Sequence, residues 1–210
     1  MCGIAGYIAR NGRSVDGPRL ASMILAVAHR GPDDEGMLVE GQVGLGHRRL
    51  SILDLSADGH QPMSRQGTGL TIVYNGEIYN YIELREELRG LGEKFVTATD
   101  TEVILAAYAV WGEECVTRFN GMWAFALWDR SNHRVFCSRD RFGVKPFYYV
   151  ETPDAWGFGS ELRQLLPLLP AVRANERVVQ EFLFAGIAEP REETFFEGVR
   201  KLPGGHNLVY

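Results

Sequence analysis

Few side chains in this sequence are suited to covalent chemistry, and the second residue is one of them. Cys2 stands where a chain is normally frayed and exposed, and an exposed thiol is a liability without a task. A small second residue permits removal of the initiator methionine, leaving a chain that starts with cysteine. One residue then carries a thiol and a free α-amine, with reference pKa values of about 8.5 and about 7.7–8.0. The amine takes the thiol proton near neutral pH, which is the nucleophile–base pairing of an N-terminal nucleophile. A Met-Cys start is also found with no such role. An acyl-transferring thiol needs an oxyanion hole as well. Asn75 and Gly76, in VYNGEIYN, offer one: a side-chain amide donor and a backbone N–H unshielded by a Cβ. The same pair also reads as a type I′ hairpin turn, although the residues after it look helical. Arg49, in HRRLSILDL, enters an apolar strand, where it suits a carboxylate bidentately or faces solvent on an edge. Asp100 opens a helix, where an acid complements the dipole or holds an ammonium. RDRFGVKP reads as a solvated, salt-bridged turn.

The elements that position these groups follow from pattern. CGIAGYIA is a short strand. DGPRLASMILAVAHRGPDD is a helix, with Pro18 at N1, a face of Leu20, Ile24 and Val27, and a stop at Gly31-Pro32. Two strands joined near Gly41 come next, then a strand that meets a sharp turn at Asn75-Gly76. Asn80 caps a helix with Glu83 at N3 and a stripe of Leu84, Leu88 and Leu91 before Gly92. Thr99 and Glu102 form a capping box for another helix that stops at Gly112. GMWAFALWDRSNHRVFCSRD is a hairpin whose first strand is apolar on both faces, so it is covered on both sides. PFYYV and AWGFGS pair, a short helix runs from Ser160 through Leu166, and Asn175 to Ala185 is the last helix. KLPGGHNLVY looks like a strand cut short. Hairpin-joined strands with helices grouped between them predict a layered α+β domain of antiparallel sheets covered by helices.

Composition narrows the function. A net charge of −5 with scattered Lys and Arg gives no sign of a nucleic-acid or anionic-membrane partner. Three cysteines without CxxC spacing argue against a disulfide framework or a zinc site, and the five histidines have no metal-ligand spacing. No signal-peptide pattern or membrane-length apolar run appears, so a reducing cytoplasm is expected. The phosphate-binding, GxSxG and HExxH motifs are absent.

CGIAGY, HRGPDDEG, HRRLSILDLS, YNGEIYN, TDTEVIL, NGMWAFALWD, SRDRFGVKPFYY and FEGVRKLPGGH occur in that order. In this they resemble class-II glutamine amidotransferase domains. HRGPD, RLSI, NGEIYN and RDRFGVKPFYY resemble, within that class, the glutamine-hydrolysing asparagine synthetases. The resemblance spans residues 1–210 and implies one glutaminase domain with the four-layer αββα sandwich of N-terminal nucleophile hydrolases. It implies Cys2 as nucleophile, with Asn75 and Gly76 as the oxyanion hole. Arg49 would hold the glutamine carboxylate, Asp100 and Glu77 its ammonium, and Leu50, Ile52 and Leu53 would line the pocket. It implies no cofactor for these residues. ATP and magnesium belong to the family's C-terminal synthetase domain, whose SGGxDS-type loop does not occur here. Glutamine is the implied substrate, and the synthetase domain the implied partner, in cis or in trans. A homodimer stays open, as do another class-II amidotransferase and a module silent without its partner domain. Gly204 stands where the family usually has proline, a departure expected to lie far from the chemistry.

Overall fold

The computed structural model describes residues 1–52, 54, 56–187 and 192–210. Two antiparallel sheets form the centre of the protein. The strands are β1 (Gly3–Ala9), β2 (Asp34–Glu40), β3 (Val43–Arg49), β4 (Met63–Arg65), β5 (Leu70–Ile78), β6 (Gly121–Asp129), β7 (Arg134–Arg139), β8 (Tyr148–Glu151), β9 (Ala155–Gly159), β10 (Val199–Lys201) and β11 (Asn207–Val209). One sheet has the order β10-β8-β9-β1-β3-β2 and the other β11-β7-β6-β5-β4. The helices are α1 (Gly17–Leu25), α2 (Tyr81–Gly90), α3 (Asp100–Trp111), α4 (Leu162–Leu165) and α5 (Glu176–Ala185).

The three apolar clusters define four layers. Leu20, Met23 and Ile24 of α1, with Leu165 of α4, pack on Ala5 and Tyr7 of the first sheet. Ile4, Val43 and Leu45 meet Val73, Ala124 and Ala126 between the sheets. Leu84 and Leu88 of α2, with Val103 to Tyr108 of α3, cover Ile72, Trp123, Phe125 and Leu127 of the second sheet. This is the αββα sandwich. Strand β6 shows how it works: Trp123, Phe125 and Leu127 point to the helices, while Ala124 and Ala126 alternate inward and let the sheets approach. Helix α3 is apolar nearly all round, as a helix enclosed in the core must be.

Several expectations need correction. The 16–34 helix is shorter: α1 ends at Leu25, and a separate 3-10 turn spans Ala28–Arg30. Gly31, after that turn, runs so close to the backbone of Arg48 and Arg49 that a Cβ has no room. Pro18 sits second in α1 rather than first, because Asp16 is the cap. Asn75-Gly76 is no turn. Strand β5 runs straight through it, with Asn75 opposite Ala124 and Gly76 opposite Trp123. Glycine serves a close approach here, not a positive φ: a Cβ on Gly76 would lie 2.6 Å from the Tyr74 ring and 2.8 Å from Trp123 Cα. Asn80 begins α2 without a side-chain cap bond. Its Nδ2 instead donates to Arg118 O at 3.0 Å, and its Oδ1 accepts from Asn120 N at 2.9 Å. Leu91 is exposed, outside the buried stripe of Leu84 and Leu88. Thr99 caps α3, but the Glu102 carboxylate turns to Val96 N and Thr97 N rather than closing a capping box. The final stretch is two strands, with β10 on β8 of one sheet and β11 on β7 of the other.

Candidate active site

Strand alternation decides which residues enter the space between the sheets. Ile4 faces inward on β1, so Cys2 lies on the same face, just before the strand begins. Val43 and Leu45 face inward on β3, and His47 and Arg49 continue that row. Val73 faces inward on β5, and Asn75 and Glu77 continue it. Pairing of Gly3 with Arg48 and of Ile4 with His47 brings Cys2 beside Arg49. The interior is thus apolar through its middle and polar at one end.

There the groups meet in a cavity of about 90 Å³. Cys2, Arg49, Leu50, Ile52, Asn75, Gly76, Glu77 and Asp100 all line it. Leu53 lies outside the described residues. Ile52 is exposed at the mouth.

The thiol is held by backbone. Cys2 Sγ accepts from Leu50 N at 3.4 Å and faces Leu50 O at 3.7 Å, while Arg30 Nε donates to Cys2 O at 2.9 Å. Burial pushes the thiol above its ordinary pKa. The Leu50 N–H and the positive charges of the N-terminus, Arg49 and Lys145 pull it back down.

Asn75 is 1% exposed, and its Nδ2 has no hydrogen-bond partner among the described residues. A buried donor left unpaired costs about 1–3 kcal/mol. Such a cost in a cavity wall marks a place where a ligand oxygen belongs.

Arg49 is buried, not on an edge, since β3 lies between β1 and β2. Its guanidinium donates to Ser56 O at 2.8 Å and to Asp54 O, which fixes the head group at the cavity. Asp100 is also buried, and its Oδ2 accepts from Tyr74 Oη at 2.8 Å and Ile78 N at 2.9 Å. Burial raises its pKa, and those two donors oppose the rise. Burial and the neighbouring Asp100 hold Tyr74 well above its usual pKa, so it remains a donor.

Sequence reasoning gave no role to three further wall residues, Gln61, Thr101 and Lys145. Gln61 joins two elements: its Oε1 accepts from Tyr74 N at 2.7 Å and its Nε2 donates to Thr101 Oγ1 at 3.3 Å. No pattern in a lone loop glutamine signals this. Lys145 lay within a quoted motif, RDRFGVKP, that was read as a solvated turn. That reading is corrected. Arg139, Asp140 and Lys145 are all buried. The Asp140 carboxylate accepts from the backbone N–H groups of Trp123, Phe142, Val144 and Lys145 at 3.2, 3.1, 2.9 and 2.9 Å. Arg139 donates to the carbonyls of Lys145, Leu202 and Gly143 at 2.7, 2.6 and 2.7 Å. Gly204 is not remote from this loop. A Cβ there would lie 2.7 Å from Gly143 N.

Among the described residues no helix is long and apolar enough to cross a membrane.

Comparison with known proteins agrees with this architecture. Residues 1–210 match the family described as glutamine amidotransferase domain. A putative asparagine synthetase [glutamine-hydrolyzing] 2 of Methanocaldococcus jannaschii is 41% identical over 231 residues, covering 100% of this chain and 44% of that protein. Asparagine synthetase [glutamine-hydrolyzing] 3 of Bacillus subtilis is 37% identical over 215 residues, covering 100% and 35%. The chain therefore spans less than half the length of these two relatives. The solved glutamine phosphoribosylpyrophosphate amidotransferase of B. subtilis superposes with a TM-score of 0.71 at 19% identity, over 99% of this chain and 47% of that one, a likeness of fold. The chain belongs to the class-II glutamine amidotransferase domain family.

Proposed function

We propose that this domain is the glutaminase half of an asparagine synthetase-type protein. The observation that carries the reading is the buried, unpartnered Asn75 amide in the wall of the cavity that holds the Cys2 thiol. With Met1 removed, the Cys2 α-amine takes the thiol proton, and the thiolate attacks the side-chain carbonyl carbon of glutamine. Charge moves to the carbonyl oxygen, where Asn75 Nδ2 and the Gly76 N–H receive it. The α-ammonium returns its proton to the leaving nitrogen, and ammonia departs. Water, deprotonated by the same amine, attacks the thioester and releases glutamate and the thiol. Arg49 meets the α-carboxylate. Asp100 and Glu77 meet the α-ammonium, and that pairing of opposite charges selects a free amino acid. Leu50 and Ile52 close the pocket around its side chain. The ammonia passes to a synthetase domain, in cis or in trans, which uses ATP and magnesium to activate aspartate. A cytoplasmic setting suits a free thiol nucleophile.

The test is glutamate release by the Met1-processed protein. Cys2→Ala abolishes it, and Arg49→Ala raises KM far more than it lowers kcat. A Cys2→Ala protein that keeps the wild-type rate contradicts the reading.

A further inference from the structure

Lys145 is the one wall residue with a full charge that the mechanism above leaves unused. Its ammonium-bearing side chain is buried at the cavity, and among the described residues no carboxylate forms an ion pair with it. An unpaired charge at a cavity wall acts on whatever ionises in that cavity. This one is not placed by accident. Asp140 grips the Lys145 N–H at 2.9 Å, and Arg139 grips its carbonyl at 2.7 Å. Two residues with no place in the cavity wall thus hold the lysine backbone on both sides.

We infer that Lys145 is a positioning residue for Cys2, supplying counter-charge to the thiolate that forms when the α-amine takes the thiol proton. The inference rests on the glutaminase reading and names the regulation of that same site. A cation beside a thiol lowers the thiol's pKa. The charged and titratable groups facing this pair are Arg30, Arg49, Tyr74, Glu77, Asp140 and the N-terminus. Arg49 and the N-terminus act on the thiol in the same direction as Lys145, and burial acts against all three. Arg49 is committed to two carbonyls and to substrate, which leaves Lys145 as the wall side chain whose positive charge is available to the thiolate. Burial and Arg30 lower the Lys145 pKa, while Cys2, Glu77 and Asp140 raise it. An anion at Cys2 therefore favours the charged form of the lysine.

The experiment follows the rate of Cys2 alkylation by iodoacetamide against pH, read by intact mass on the Met1-processed chain. Cys115 and Cys137 are buried and give a slow background. Lys145→Met raises the midpoint of that profile by about one pH unit, and Lys145→Arg leaves it near wild type. The acid limb of kcat/KM for glutamine moves up with it in Lys145→Met. A Lys145→Met profile that overlays wild type overturns the inference, and so does a variant whose only change is a raised KM, which would make the lysine a substrate contact. A circular dichroism melt shows whether each variant is folded, and Lys145→Gln repeats the test if Lys145→Met is not. Alkylation needs no glutamine turnover. Failure of the wild-type protein to release glutamate therefore counts against the glutaminase reading, and an unmoved profile against Lys145 alone.

Discussion

Asn75 and Asp140 flank the same strand, β6, and both are buried, yet their surroundings are opposite. Four backbone N–H groups converge on the Asp140 carboxylate. The Asn75 amide nitrogen has no partner among the described residues. Asp140 spends its hydrogen-bonding capacity on the fold, shaping the loop that presents Lys145. Asn75 keeps a donor in reserve at a structural cost. On the glutaminase reading the contrast separates scaffold from site: the satisfied carboxylate shapes the backbone, and the unsatisfied amide faces the place where charge develops.

The comparison can be broken by substitution. Asp140→Ala leaves four backbone donors, two of them buried, without an acceptor and costs about 3–5 kcal/mol, read as a large drop in the urea midpoint. Activity falls with it. Asn75→Ala separates the two properties. It lowers kcat by roughly 10²–10³, the usual cost of one oxyanion donor. Its stability stays at or above wild type, because a donor without an acceptor has been removed. An Asn75→Ala protein with a clear loss of stability and normal kcat would make Asn75 scaffold after all.

His47 sharpens the contrast through pH. Its Nε2 donates to Tyr74 O at 3.0 Å between the sheets, and Nδ1 is unpartnered among the described residues. Burial lowers its pKa from 6.5 to about 4. Below pH 6.5 the unfolded chain takes up a proton that the folded protein refuses until about pH 4. Stability therefore falls as pH is lowered through that window, by about 3 kcal/mol in all. His47→Gln flattens this part of the urea-midpoint profile. A profile with the same slope in both proteins assigns the acid sensitivity elsewhere. The smallest effect belongs to the surface. Arg177 and Glu181 pair at 2.6 Å on the exposed face of α5, and Arg177→Ala changes stability by less than about 0.5 kcal/mol.

The sequence disclosed the site more fully than the shape of the strands that carry it. Cys2, Arg49, Asn75 and Asp100 stood out as candidates by residue type, the family resemblance joined them into one site, and they line one cavity. The geometry of their assembly was not legible, since it depends on registers between strands far apart in the chain, such as Gly3 with Arg48. The Asn-Gly pair misled for a physical reason. Glycine is chosen for positive φ in turns and for missing bulk in close-packed strands, and local sequence does not separate the two uses. RDRFGVKP misled likewise. Its charges suggest solvent, but backbone amides and carbonyls neutralise them inside the protein. A carboxylate that finds its partners in main chain leaves no pattern in side chains.

The most direct test of the central claim is intact mass before and after incubation with an electrophilic glutamine analogue. The account predicts loss of Met1, a single adduct located at Cys2, and protection by glutamine. A Met1-processed chain that gains no adduct, or gains one on another residue, contradicts it.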